Sequence, residues 1–391
     1  MARVLMIPMC WGRGIGPIHE LLSLADALSA RGAEVHFAAR ESFANLARLR
    51  GYGVAAVLPG PQTSFDVSYN ADDFAIGQGM ASAEYLERVL AAELVATREC
   101  RPDIVVSYLQ PTTSTSSSVA GVRHAALARW TEHPNFDQDD AWSAERPPGW
   151  RRSGATDALN ILRRANGQAE VGDFWDAVFG DADLRIAPGT PELEPGLALS
   201  DVNWVGYLEP IISEPPGDVR QEIRDWLVAT GPRVYVYVSA GGVKLAEVMP
   251  QLCDIAADGA AVLVARGQHS DVRLDGWPSR VAVAEWVPGP FVVTRADVVV
   301  SLGTRTTAWQ AMMAGCGQVF LPAVSDELVY IGQHLPSCGA GVAITDVRGL
   351  AAACRAADQP NVRESAGRIG QEMIRRGGPG RAADLLLELV A

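Results

Sequence analysis

The stretch VVVSLGTRTTAWQAMMAGCGQVFLP, residues 298–322, contains the pattern that decides the fold. Val298 to Val300 is typical of a buried strand, and the run breaks at the small-residue turn Ser301 to Thr307. A helical pattern follows and ends at Gly315, after which Val319 to Leu321 predicts a second strand. Strand, turn, helix and strand in this order build a parallel sheet covered by helices.

The same unit opens the chain. Val4 to Met9 predicts a strand, Gly12 to Gly16 a loop, and Pro17 suits the first turn of a helix. The second strand is expected at Val35 to Ala38. We therefore predict an α/β protein of two Rossmann-like domains that face a cleft.

The proline- and glycine-bearing stretch around 200–233 has no strong period and predicts a domain boundary. We place the N-terminal domain at 1–212 and the C-terminal domain at 213–375. A final helix, 376–391, is expected to pack back on the N-terminal domain.

Composition excludes some classes of function. The chain has 391 residues and a formal net charge of −13, which argues against a duplex nucleic-acid binder. Its six cysteines form no C-x-x-C pair, and no apolar run approaches the length that spans a bilayer, so we expect no leader and no membrane span. We expect a cytoplasmic protein with reduced thiols, no stable membrane insertion and no nucleic-acid partner.

Three turns are candidates for holding an anion: Gly12 to Gly16, Ser239 to Gly242, and Gly303 to Thr307. At a helix start the free N–H groups and the helix dipole favour negative charge. In the third turn Thr304, Thr306 and Thr307 add hydroxyl donors, and Arg305 adds a full positive charge. The alternatives are that Thr306 or Thr307 simply caps the helix and that Arg305 points into solvent.

The region from Val281 to Gly341 resembles the donor-binding half of the GT-B glycosyltransferases of the family 1 type. Their actinobacterial members, which decorate natural products such as antibiotics, are the most similar. The residues that carry the resemblance are Ala314-Gly315-Cys316-Gly317-Gln318, Phe320-Leu321-Pro322, Asp326-Glu327, GAGVAI at 339–344 and EWVPGPFVVTRADVVV at 285–300. The first 39 residues and NWVGYLEP at 203–210 are similar to the family's first strand–loop–helix and domain junction, so nearly the whole chain is covered.

The resemblance implies a donor site for a nucleoside-diphosphate sugar, with Trp286 beside the base and Asp326 and Glu327 on sugar hydroxyls. The predicted donor-binding residues are Gly241, Gly242, Trp286, Val287, Gly303, Thr304, Arg305, Thr306, Thr307, Gln310, Asp326 and Glu327. The family's diphosphate-binding histidine falls at Leu302, which carries no charge. Our hypothesis is that Arg305 and the N–H groups of Thr306 and Thr307 replace it.

The family's catalytic base, a histidine before the first helix, falls at Pro17. We expect His19 in the first helical turn, or His133 or Asp137 in the aromatic, polar loop around 130–155, to take the acceptor's proton. A helix histidine without a role is the alternative for His19. The predicted acceptor-binding residues are Trp11, Arg13, Gly14, Trp130, Glu132 and Trp142.

The histidines are too scattered for a metal site, so we predict neither a metal nor a cofactor, only a dTDP- or UDP-linked co-substrate. The predicted function is inverting sugar transfer to a small natural-product acceptor in secondary metabolism, with a homodimer as a candidate assembly. Three alternatives stay open: a non-catalytic GT-B relative, another GT-B sugar-nucleotide enzyme such as an epimerase, and an NAD(P)-dependent enzyme. Against the last, the glycine fingerprint fails, because Pro17 or His19 occupies its third glycine position.

Overall fold

The fold is described here from a computed structural model. It describes residues 1–11, 14–61, 75–132, 153–197, 201–212, 214, 217, 219–239, 242–267 and 269–391, without the side chains of Glu132, Ser153 and Asp326.

Two parallel sheets form the framework of the described chain, with seven and six strands. The strands are β1 Arg3–Pro8, β2 Glu34–Arg40, β3 Gly53–Leu58, β4 Ile104–Tyr108, β5 Arg123–Leu127, β6 Leu184–Ala187, β7 Asn203–Trp204, β8 Arg233–Tyr237, β9 Ala261–Ala265, β10 Val281–Ala284, β11 Val298–Ser301, β12 Gly317–Phe320 and β13 Val342–Ala343. Most are continuous apolar runs, as expected for strands covered on both faces.

Helices connect these strands and cover the sheets. They are α1 Gly16–Ser29, α2 Glu41–Leu49, α3 Ala83–Cys100, α4 Thr112–Ala120, α5 Ser153–Ala165, α6 Asp176–Phe179, α7 Gln221–Val228, α8 Leu245–Ala257, α9 Gly289–Val292, α10 Arg305–Met313, α11 Asp326–Ser337, α12 Leu350–Ala357, α13 Pro360–Arg375 and α14 Gly378–Val390. Pro17 lies in the first turn of α1, where its missing N–H leaves no hydrogen bond unmade. Ser82 caps α3 by accepting a hydrogen bond from the Tyr85 amide.

Strand order places a switch point in each sheet. The first sheet runs β3-β2-β1-β4-β5-β6-β7 and the second runs β10-β9-β8-β11-β12-β13. In the first sheet the chain adds strands on one side of β1 and then crosses to add the rest beyond β4. In the second sheet it does the same around β8 and β11. In such doubly wound sheets, ligands bind beyond the carboxyl ends of the strands at these points.

The chain divides into two compact units. The first comprises the described residues of 1–138 and 145–209 together with Arg375–Ala391, and the second comprises those of Pro210–Ile374. Helix α14 belongs to the first unit, since Ala382, Ala383 and Leu386 are part of its core. Arg31 of α1 also pairs with Asp384 of α14 at 2.6 Å.

The predicted fold class of two Rossmann-like α/β domains is confirmed. The strands expected around Val298 and Val319 are β11 and β12, with bounds that differ from the prediction by one or two residues. Such differences at element ends are usual, because hydrogen bonding and not hydrophobicity sets the last residue of a strand.

Candidate functional site

The turn after β11 is built around a glycine that no other residue replaces easily. Gly303 has φ +93°, and a Cβ there would come within 2.9 Å of the Leu328 carbonyl oxygen. Its N–H donates to the Ser301 hydroxyl at 3.1 Å, which holds the turn. The chain then enters α10 at Arg305.

The first turn of α10 carries a buried arginine. Arg305 is only 6% exposed, so the alternative that it points into solvent is wrong. Its guanidinium carbon lies 5.4 Å from the ring centre of Trp309, within cation–π range. Thr306 and Thr307 lie inside the helix rather than at its cap, and the Thr304 hydroxyl donates to that of Thr307 at 3.0 Å.

Two neighbouring turns adjoin this one. Gly242, after β8, forms an isolated bridge with Ala323, after β12. The Val243 amide donates to the Pro322 carbonyl at 3.1 Å. A Cβ on Gly242 would lie 2.6 Å from Leu302 Cδ2, so the turns after β8, β11 and β12 are contiguous. Leu302 itself is buried in the core and offers no polar group.

The turn after β10 approaches the other end of α10. A Cβ on Gly289 would lie 3.8 Å from the Tyr235 hydroxyl and 3.9 Å from Gln310 Oε1. Gln310 is buried, and its Nε2 has no hydrogen-bond partner among the described residues. In the same turn Trp286 is 65% exposed, whereas Val287 is buried in the core.

Two further predicted donor residues begin α11. Asp326 is its first residue, with its side chain outside the description, and Glu327 is partly buried beside it. Gly241 lies outside the described residues. The structure thus places the other residues that were predicted to bind the donor at the carboxyl edge of the second sheet.

The two described tryptophans that were predicted to bind the acceptor are less exposed to solvent than expected. Trp11 is fully buried, donates through Nε1 to the Leu109 carbonyl at 2.9 Å, and packs on Phe174 and Trp175. Trp130 is partly buried, and its ring lies against Gly196. Gly14 is exposed.

Several candidates fall where the structure gives no account. Arg13, His133, Asp137 and Trp142 lie outside the described residues, and for Glu132 only the backbone is described, in a 3-10 turn with Trp130.

His19 lies in the first turn of α1 and is partly buried. Burial lowers the pKa of its imidazole, and the nearby Arg50 lowers it further. The ring is therefore neutral at pH 7 and able to accept a proton.

One buried carboxylate near the switch point of the first sheet was not predicted from the sequence. Glu93 of α3 is completely buried, and hydroxyl and amide donors from α4 and the turn before it surround its carboxylate. A signal was present: at helical spacing Glu93 falls on the apolar face with Val89, Ala96 and Cys100. An acid on such a face needs partners, and the hydroxyl-rich TTSTSSS at 112–118 supplies them.

Within the described ranges, no group of three or more His, Cys, Asp or Glu side chains is placed to hold a metal ion. No described helix is both long enough and apolar enough to cross a membrane.

Comparison with known proteins places the chain among sugar-transferring enzymes. No family model matches it. A "PGL/p-HBAD biosynthesis glycosyltransferase" of Mycobacterium tuberculosis (strain ATCC 25177 / H37Ra) is 27% identical over 85% of this chain and 79% of its own length. Glycosyltransferase GtfE of Amycolatopsis orientalis is 26% identical over 98% of this chain and 97% of its own.

Solved structures of two glycosyltransferases have the same fold as this chain. The glycotransferase of kitacinnamycin superposes with a TM-score of 0.77 at 18% identity, covering 100% of this chain and 99% of its own. Glycosyltransferase VinC, solved with DTDP, superposes with a TM-score of 0.73 at 18% identity, covering 99% of each chain. The chain has the GT-B fold of these enzymes, and its sequence is similar to that of glycosyltransferases over most of its length.

At the two positions where the resemblance predicted a histidine, the structure places apolar residues. Leu302 is an ordinary core residue, and Pro17 is buried in the first turn of α1. In each case a residue with a basic side chain follows within three positions, Arg305 and His19 respectively. Neither replacement could be judged from the sequence alone, since burial depends on the packing of the turn around it.

Proposed function

We propose that this protein moves a sugar, with inversion, from a dTDP- or UDP-linked donor to a hydroxyl of a small natural-product acceptor. The observation that carries the proposal is the first turn of α10, where a buried guanidinium stands at a helix N-terminus beyond the carboxyl end of β11. Helix dipole, free N–H groups and a full charge coincide there.

The donor's diphosphate would lie at this turn, with Arg305 taking the role of the missing histidine. Support for a thymidine nucleotide comes from two structural neighbours, VinC in complex with DTDP and SsfS6 complexed with thymidine diphosphate. We propose that the exposed indole of Trp286 stacks on the base and that Asp326 and Glu327 accept hydrogen bonds from sugar hydroxyls. The second unit would then be the donor-binding domain.

The first unit would bind the acceptor. In an inverting transfer, the acceptor oxygen attacks the anomeric carbon while the bond to the diphosphate oxygen breaks. The acceptor's proton passes to a base, for which His19 is the described candidate, since its imidazole is neutral at pH 7. Negative charge develops on the leaving diphosphate, where Arg305 and the N–H groups of α10 would stabilise it.

A second candidate is a binding protein of the same fold without transferase activity. The observation that favours it is the pair of replaced histidines, because neither Pro17 nor Leu302 can move a proton or carry a charge. Such a protein would bind the nucleotide and release no sugar.

Sugar transfer itself is the test. The protein is incubated with dTDP-glucose, dTDP-rhamnose or UDP-glucose and a panel of phenolic and macrolide alcohols, and nucleoside diphosphate release is measured with the product's mass and anomeric configuration. We expect acceptor-dependent release from one donor class and a product of inverted configuration. Nucleotide binding without product across the panel would favour the binding protein, and retained configuration would contradict the mechanism.

A further inference from the structure

The network around Glu93 joins three elements at the first sheet's switch point. Gln110 Nε2 donates to Glu93 Oε1 at 3.1 Å, the Ser116 hydroxyl donates to Oε2 at 2.7 Å, and the Thr112 hydroxyl donates to Oε1. All three donors come from the β4–α4 turn and the first turns of α4. A carboxylate accepts on both oxygens at once, which a side-chain amide does not.

Retaining this carboxylate has a cost. Burial raises the pKa of Glu93 to about 7, although the hydrogen bonds from Thr112, Ser116 and Gln110 oppose the rise. No ion pair to Glu93 is found among the described residues. Hydrogen bonds from neutral donors only partly offset the free energy of burying an acid. Stabilising the contact between α3 and α4 therefore does not by itself explain why an acid stands at this position.

Gln110 extends the network to the chain after β1. Its Oε1 accepts from the backbone amide of Cys10 at 3.2 Å. A second bond, from Trp11 Nε1 to the Leu109 carbonyl, ties the same two segments. Leu109 has φ +55°, a left-handed conformation that is unfavourable for leucine and persists only where its surroundings impose it.

We propose that Glu93 is a positioning residue for the acceptor site: through Gln110 it fixes the segment after β1, Cys10 and Trp11, that leads into the loop and helix carrying Gly14 and His19. The proposal rests on the proposed function, because it assigns the acceptor to this unit. Glu93 touches no reacting atom in this arrangement; it acts on the site through a turn and a backbone amide.

Hydrogen exchange of the Cys10 amide tests the linkage without any substrate. In Glu93→Gln the amide should lose protection at least tenfold, and Thr112→Val, which removes the hydroxyl that is bonded to both Glu93 and Gln110, should give the same result. Thr97→Val is the matched control, since its buried hydroxyl donates to the Glu93 backbone carbonyl in the same helix at 2.9 Å and not to the Glu93 carboxylate or to Gln110. Cys10 protection in Glu93→Gln and Thr112→Val equal to that of the control would overturn the proposal.

Kinetics then separate this proposal from the proposed function. With an acceptor found in the transfer assay, Glu93→Gln should raise the acceptor KM about tenfold and leave the dTDP dissociation constant unchanged, while Thr97→Val changes neither. Should the exchange pattern appear in a protein that transfers no sugar, the proposed function fails and the linkage stands. If Glu93→Gln is too unstable to purify, Thr112→Val provides both measurements.

Discussion

The two switch points of the molecule hold buried side chains of opposite chemistry, one acidic and one basic. At the β1/β4 edge a buried carboxylate, Glu93, gathers hydroxyl and amide donors, whereas at the β8/β11 edge a buried guanidinium, Arg305, opens a helix. The first six strands of the first sheet follow the same order as the six strands of the second. The difference teaches that one strand order can carry buried polar groups of opposite kind, so the residues and not the fold set the chemistry at each edge.

Substitution of the glycine in the turn after β11 should have the largest effect on the free energy of unfolding. Gly303→Ala should lower the free energy of unfolding of the second unit by about 3 kcal/mol, because the added Cβ meets the Leu328 carbonyl and φ is +93°. Gly267→Ala is the control: φ is +55° there and nothing lies within 4 Å, so about 1 kcal/mol is expected. Urea unfolding measures both, and equal losses would mean that the β11 turn is not tightly constrained.

Titration of Glu93 should be visible in the stability of the first unit. Its pKa is raised to about 7 in the folded protein from the ordinary 4.5, so between these values the folded state binds more protons than the unfolded state. Raising the pH across this window should therefore lower the free energy of unfolding by on the order of 3 kcal/mol. Glu93→Gln should remove that slope; Cys10, whose pKa burial raises to about 12, stays protonated throughout.

A wild-type slope that survives in Glu93→Gln would show that another group titrates in this window. In that case the carboxylate is better solvated than its burial indicates.

The titration of His124 should change the free energy of unfolding by a similar amount, with the opposite dependence on pH. Burial lowers its pKa to about 4, and its Nε2 lies 2.8 Å from the Ser107 hydroxyl. Between pH 6.5 and 4 the unfolded state binds the extra proton, so stability should fall as the pH falls, again by on the order of 3 kcal/mol. His124→Gln should flatten this acid limb in urea titrations between pH 4 and 6.5, and an unchanged limb would count against a neutral buried imidazole.

The sequence predicted the fold well because the signals for it are local. Apolar runs such as Val298 to Val300, a glycine that must adopt positive φ and a proline in the first turn of α1 each act over a few residues. The parallel order of the strands then follows from their alternation with helices.

The sites were harder to predict because they depend on packing. Arg305 and Leu302 stand three residues apart, and only the folded turn shows that both are buried, one beside Trp309 and the other in the core. Trp11 looked like an acceptor-lining ring and is a core residue with its N–H used. Glu93 lies 17 residues from Gln110, and no local pattern joins them.

The central claim is that the charge at the β8/β11 edge binds a nucleoside diphosphate, and calorimetric titration with dTDP, UDP, GDP and NAD⁺ tests it most directly. Wild type should bind one nucleoside diphosphate selectively, and Arg305→Ala should weaken it tenfold or more, about 1.4 kcal/mol. Arg295→Ala, which removes an arginine stacked on Phe291 in the same unit, should leave the affinity unchanged. Full affinity in Arg305→Ala, or binding of NAD⁺ alone, would contradict the account.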